Sequence, residues 1–319
     1  MAYIQTILGQ ISPEELGFCQ SHEHLLLSKG ISFEKNPVLL LDDFRKSIEE
    51  VFAYKASGGN AIVEAQPVGC NRVADGLQAI SRETGIHIIA STGFHKMIFY
   101  PDNHWIFSYD RKRLLEIFLH EIKTGMYTSC ENSETNTFIY SKAGQVKCAL
   151  DTDGLNEQYQ KLFLAAGRAC LETGAPMMVH IEKGSDPIAL VDFLEENHVR
   201  PKKMIFCHMD RACVNPEVHR QIASKGIYLE YDTIGRPKYH SNEEELNMIK
   251  TMIHAGYEDQ LLISLDTTRA RLKAYTPEGV GLTYLIKTFI PMMKDAGISE
   301  ECIQKMIRRN PGKAFVFEQ

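Results

Sequence analysis

The chain has 319 residues, 44% of them hydrophobic and 24% charged, which excludes disorder as its dominant state. Its 35 basic and 41 acidic side chains leave a net charge of −6, which argues against nucleic acid as the main partner. No run of about 20 apolar residues offers a membrane span, and the N-terminus lacks a signal peptide's basic start and apolar stretch, so a cytoplasmic protein is expected.

In chain order, short apolar segments alternate with helical patterns. Strands are predicted at 18–21, 61–65, 87–91, 145–149, 176–179, 204–207, 227–231 and 261–265. Helices are predicted at 42–54, 72–83, 111–123, 157–173, 187–197, 216–224 and 243–254, with further helical regions from Leu282 and after Ser299. Asp186-Pro187 and Asn215-Pro216 each combine an N-cap with proline at the first helical position. Gly58, Gly85, Gly174 and Gly226 stand where a left-handed C-cap would end a helix. Strand followed by helix, eight times, is the pattern of a closed parallel (β/α)8 TIM barrel, here distorted and filling 1–319 as a single domain. An open doubly wound sheet alternates similarly, but the count of eight and the lack of a glycine-rich dinucleotide fingerprint favour the barrel. Segment 125–142 is polar at its centre and aperiodic, and reads as an insertion before strand four, a hairpin or a loop near the rim. The eight cysteines include no CxxC pair, and in a reducing compartment all are expected to be free thiols.

A barrel of this kind builds its site at the C-terminal ends of its strands. Strand one ends Ser21-His22-Glu23-His24; alternation sends both histidines to the barrel axis and Glu23 outward. Strands five and six end in His180 and His208, and strand eight ends in Asp266. Any one of these is weak, but four strand ends carrying metal-ligand types form a joint signal for divalent ions. Strand four adds Lys147, whose ammonium would repel metals unless the amine captured carbon dioxide to become an anionic carbamate. Ser21 and Cys207 are the alternative nucleophiles, and neither lies in a nucleophile-elbow context. A non-catalytic, metal-stabilised binding protein is the reading from another class. Closed structural zinc sites are typically sulfur-rich, whereas none of the eight cysteines belongs to this set.

The arrangement resembles the phosphotriesterase family of the amidohydrolase superfamily, through GFCQSHEHLLL, IIASTGFHK, YDTIGRPKY, LISLDTTRARLKAY and RRNPGKAF in that order. The resemblance implies that His22, His24 and Asp266 hold a buried metal, that His180 and His208 hold a more exposed one, and that N-carboxylated Lys147 bridges them. It implies hydrolysis by a hydroxide shared between two divalent ions, with Asp266 accepting its proton; zinc, manganese, cobalt and iron all fit the ligands. A homodimer is common in that family. Arg236 and Lys238 after strand seven, and Arg269, Arg271, Lys273 and Tyr275 after strand eight, place cations on loops that often bind phosphate. Arg236, Lys238, Arg269 and Tyr275 are therefore candidates for substrate binding. The competing reading pairs the cations with surface acids such as Glu243, Glu244 and Glu245. The expected substrate is a lactone or carboxyl ester carrying an anionic group, a phosphorylated sugar lactone among them, with a phosphotriester second.

Overall fold

The computed structural model describes residues 2–128, 131 and 137–318. Eight parallel strands run in chain order around one sheet: β1 Cys19–Glu23, β2 Ala61–Glu64, β3 His87–Gly93, β4 Gln145–Leu150, β5 Met177–Ile181, β6 Met204–Cys207, β7 Tyr228–Tyr231 and β8 Leu261–Ile263. Seven long helices cover it: α1 Phe44–Ala56, α2 Ala74–Thr84, α3 Arg111–Lys123, α4 Glu157–Thr173, α5 Pro187–Glu196, α6 Pro216–Ser224 and α7 Asn242–His254. The eighth unit is closed by Leu285–Phe289 running into Ile290–Asp295. This is the expected barrel, and its strands begin and end within a few residues of the predicted limits.

Capping fixes several helix starts. The side chain of Asp186 accepts from the Ile188 and Ala189 amides, and that of Asn215 from the Glu217 amide, so the proline at the first helical position costs no hydrogen bond.

Strand alternation divides the interior in two. Val146, Met177, Val179, Met204, Phe206, Leu261 and Ile263 belong to the outer core shared with the helices. Val63, Ile89, Met178, Ile205, Cys207 and Leu262 belong to a separate inner core. An antiparallel sheet of Tyr3–Thr6, Gly9–Ile11 and Val316–Phe317 contributes Ile4 and Val316 to that inner core.

The β1–β8 seam has no strand ladder among the described residues; the Asp266 amide donates to the His22 oxygen (3.1 Å), and side chains supply the other bonds described across it. Glu23 is fully buried there rather than facing solvent. Its Oε1 accepts from the Leu265 amide (3.0 Å) and lies 2.8 Å from Ser264 Oγ; its Oε2 accepts from Thr267 N (3.0 Å) and Oγ1 (2.6 Å). Replacing Glu23 with alanine orphans two buried amides, each costing about 1–3 kcal/mol. Chemical denaturation of Glu23→Ala is expected to show a loss of at least about 2 kcal/mol; an unchanged midpoint would show that the seam does not depend on Glu23.

Part of segment 125–142 is a hairpin base, Met126–Tyr127 pairing with Phe138–Ile139. Residues 129, 130 and 132–136 lie outside the described residues, as does Cys130; the seven described cysteines are free. Among the described residues, no helix is long and apolar enough to cross a membrane.

Candidate metal centre

The inward rows of β4, β5 and β6 end side by side. Register pairs Gly93 with Lys147, Ala149 with His180, and His180 with Cys207, so the tops of neighbouring strands meet. Gly93 is required there: at φ 101° its backbone comes so close to β4 that a Cβ would sit 1.9 Å from the Lys147 carbonyl oxygen. His208 and Asp266 follow their strands with φ of 62° and 48°, in the left-handed region that non-glycine residues enter at a cost of about 1–3 kcal/mol. Those turns aim both side chains across the barrel mouth.

Asp266 Oδ1 lies 3.8 Å from His22 Nε2 and 3.5 Å from His24 Nε2. One ligand atom from each of these three residues falls within 4.8 Å of the others, a grouping able to hold one divalent ion. The His208 ring is 4.9 Å from that of His22 and 4.4 Å from that of His180. Lys147 is 1% exposed, and its one polar contact among the described residues is Cys207 Sγ at 3.7 Å. A buried ammonium with no carboxylate in ion-pairing reach is costly; a carbamate at the same position would be an anionic ligand among imidazoles. The donor set thus fits one ion at His22, His24 and Asp266, with the imidazoles of His180 and His208 adjacent to it.

Carboxylates that sequence reading passed over orient the rings. Asp232 Oδ1 is hydrogen-bonded to His208 Nδ1 at 2.7 Å, and its Oδ2 lies 2.9 Å from His22 Nδ1, close but out of line for a hydrogen bond. Glu64 Oε1 meets His24 Nδ1 at 3.2 Å, and Glu182 Oε2 meets His180 Nε2 at 3.1 Å. Each ring keeps its other nitrogen for a ligand, the arrangement in which an outer carboxylate fixes the tautomer. The signal for Asp232 was its place at the end of β7, one residue beyond Tyr231.

Burial holds His22 and His208 well below the ordinary histidine range and lowers His180 to about 4, so all three stay neutral, as metal ligands must. Burial also lowers His24, but hydrogen bonds to Asp266 and Glu64 outweigh it and push that ring up to about 9. Burial would raise Asp266; Arg236 and then His24 overcome it and hold the carboxyl well below its usual value. The Cys207 thiol is pushed well up by burial, which removes it as a nucleophile.

Above the ligands opens a cavity of about 690 Å³, lined by His22, His24, His180, His208 and Asp266 together with Lys96, Arg211, Arg236, Lys238 and Arg271. Arg236 and Lys238 therefore lie at the site, but the Arg236 guanidinium is turned onto Asp266, donating to Oδ2 at 2.9 Å and to the backbone oxygen at 3.2 Å. Arg269 and Tyr275 fall outside the cavity lining. Arg269 bonds Asp42 (2.9 Å) and the Leu40 oxygen (3.1 Å), and the Tyr275 hydroxyl bonds the Asp43 oxygen (2.7 Å). Both brace the segment before α1. His95, whose ring is 5.4 Å from that of His180, also lines the cavity, and its only sequence signal was the IIASTGFHK motif.

The sequence matches the phosphotriesterase family over residues 2–315. It is 27% identical to an N-acetyltaurine hydrolase of Xenopus tropicalis, covering 99% of this chain and 98% of that one. It is 26% identical to a phospho-furanose lactonase of Mycoplasmopsis synoviae, covering 99% and 92%. The fold superposes on a crystal structure of a lactonase from Listeria monocytogenes with a TM-score of 0.90 at 29% identity, covering 99% of this chain and all of that one. With the match running from the first strand of the N-terminal sheet to Phe315, and imidazole and carboxylate ligands gathered at the barrel mouth, the chain belongs to the phosphotriesterase family as a metal hydrolase.

Proposed function

We propose that the chain hydrolyses a lactone or carboxyl ester bearing a tetrahedral anionic group such as phosphate. His22, His24 and Asp266 would hold one divalent ion, His180 and His208 a second, and carboxylated Lys147 would bridge them; zinc suits these ligands. The bound ions supply Lewis acidity, activating water and polarising the substrate carbonyl. Asp266 accepts the attacking water's proton and passes it to the leaving oxygen, while Arg236 fixes the carboxylate's orientation. Asp232, Glu64 and Glu182 hold the imidazoles in their ligand tautomers. Asp232→Asn is expected to weaken metal retention about 10–100-fold, read by competition with a chelator; unchanged retention would mean that Asp232 supports only the fold.

The observation that carries the substrate class is the pair of guanidinium side chains, Arg211 and Arg271, that line the cavity; among the described residues, the buried Nε of each has no hydrogen-bond partner. Lys238 joins them from an exposed position on the loop after β7. An anionic group in the cavity would meet the positive charge of these side chains. The names of the relatives agree with this, phosphate in one and a sulfonate in the other. The N-acetyltaurine hydrolase supports a second reading, an N-acyl amine carrying the anion.

Assays of phosphorylated and neutral lactones, N-acetyltaurine and a phosphotriester separate these readings. Lys238→Met and Arg271→Met are each expected to lower kcat/KM for the charged lactone about ten- to a hundredfold, the loss of one charge-assisted hydrogen bond, with little change for the neutral one. Equal losses on both would assign these residues to loop structure.

A further inference from the structure

Glu245 stands in the first turn of α7, where the sequence suggests a surface acid, yet its side chain is 1% exposed and neither oxygen makes a hydrogen bond among the described residues. Asp210, in the turn after β6, is equally buried. Its Oδ2 accepts from Thr233 N (2.7 Å) and Oγ1 (2.6 Å), and its Oδ1 has no partner. Between them, His240 Nε2 faces three oxygens: Thr233 Oγ1 at 2.9 Å, Glu245 Oε2 at 3.1 Å and Asp210 Oδ2 at 3.4 Å. One ring nitrogen carries at most one hydrogen and cannot satisfy them all.

We propose that Asp210, His240 and Glu245 form a further metal site, distinct from the catalytic centre, that holds one first-row divalent cation such as Zn²⁺. Their ligand atoms lie within 4.8 Å of one another. The 3.1 and 3.4 Å separations match the ~3.3 Å edge of a tetrahedron built on ~2.0–2.1 Å bonds. Two buried carboxylates balance the ion's double charge, and one imidazole with two carboxylates is a donor set that first-row ions accept. The ion gives Glu245 Oε2 the partner it lacks, and on Asp210 it meets Oδ2, the oxygen that also accepts from Thr233.

None of the three residues lines the catalytic cavity. Asp210 follows β6, while His240 and Glu245 flank the start of α7, at the far end of the loop that carries Arg236, Lys238 and Tyr239. The ion therefore ties that loop to the neighbouring strand end and holds its cations over the cavity. Its role is structural, and it takes no part in the hydrolytic step.

The test is a crystal of the full chain grown with Zn²⁺ and measured at the zinc absorption edge. The expected result is an anomalous peak bonded to Asp210, His240 and Glu245, together with a zinc-to-protein ratio lower by one in folded Glu245→Gln and His240→Asn than in the unaltered protein. The same map reads the His22 and His180 sites separately, so failure there leaves this inference standing, and the reverse. Absence of the peak, with a proton shared between Glu245 and His240 instead, overturns the proposal, as does an unchanged ratio in both variants.

Discussion

Lys147→Ala is expected to lose activity by more than the about 10–100-fold typical of an outer metal partner, because the bridging position itself is vacated. Short carboxylic acids supplied with Zn²⁺ should restore part of it by filling the space that the side chain leaves between the imidazoles of β5 and β6. The cause lies in the environment of the amine, which is enclosed and whose one hydrogen-bond contact among the described residues is the Cys207 thiol. Carbamylation would place an anion there, one that two divalent ions would compensate. A crystal structure of the metal-loaded protein should show three extra atoms beyond the Lys147 amine. A bare amine beside two bound ions would contradict the assignment, as would full activity in the alanine variant.

Asp266→Asn should reduce kcat by about 10²–10⁴-fold, the range for a positioned acid–base group. Asparagine suits this test because it tolerates the left-handed backbone, at φ 48°, better than alanine does, so the fold is preserved while the proton acceptor is lost. Arg236 loses its carboxylate partner in the variant, but its hydrogen bond to the Asp266 backbone oxygen remains. A fall in kcat with unchanged thermal stability is the expected outcome. A loss of less than tenfold would move the proton transfer to another ionisable residue lining the cavity, such as His95.

Both variants address residues that were legible in the sequence, and the reason is geometric. Strand alternation fixes which side chains reach the barrel axis, so His22, His24, Lys147 and His180 could be read from short apolar runs. His208 and Asp266 were placed by following their strands one step further, although their positive φ values have no sequence signature outside glycine. What could not be read depends on contacts between distant parts of the chain. Asp232 bonds His208 beyond β6 and lies beside His22 on β1, Glu23 closes a seam against residues some 240 positions away, and Glu64 supports the ring of His24 just beyond the neighbouring strand. Arg269 and Tyr275 share loop eight with Arg271, but the path of the loop sends them toward Asp42 and Asp43 while Arg271 turns inward. Periodicity says nothing about such paths. Glu245 makes the same point, as a residue of acidic pattern that the packing of α7 places in the interior.

The central claim, that metal ions at this centre carry out the hydrolysis, is tested most directly by stripping the protein with a chelator and returning Zn²⁺ stepwise while turnover of a phosphorylated lactone is followed. Turnover is expected to disappear with the ions and to return as the His22–Asp266 and His180–His208 positions refill. Undiminished hydrolysis by the stripped protein would contradict it.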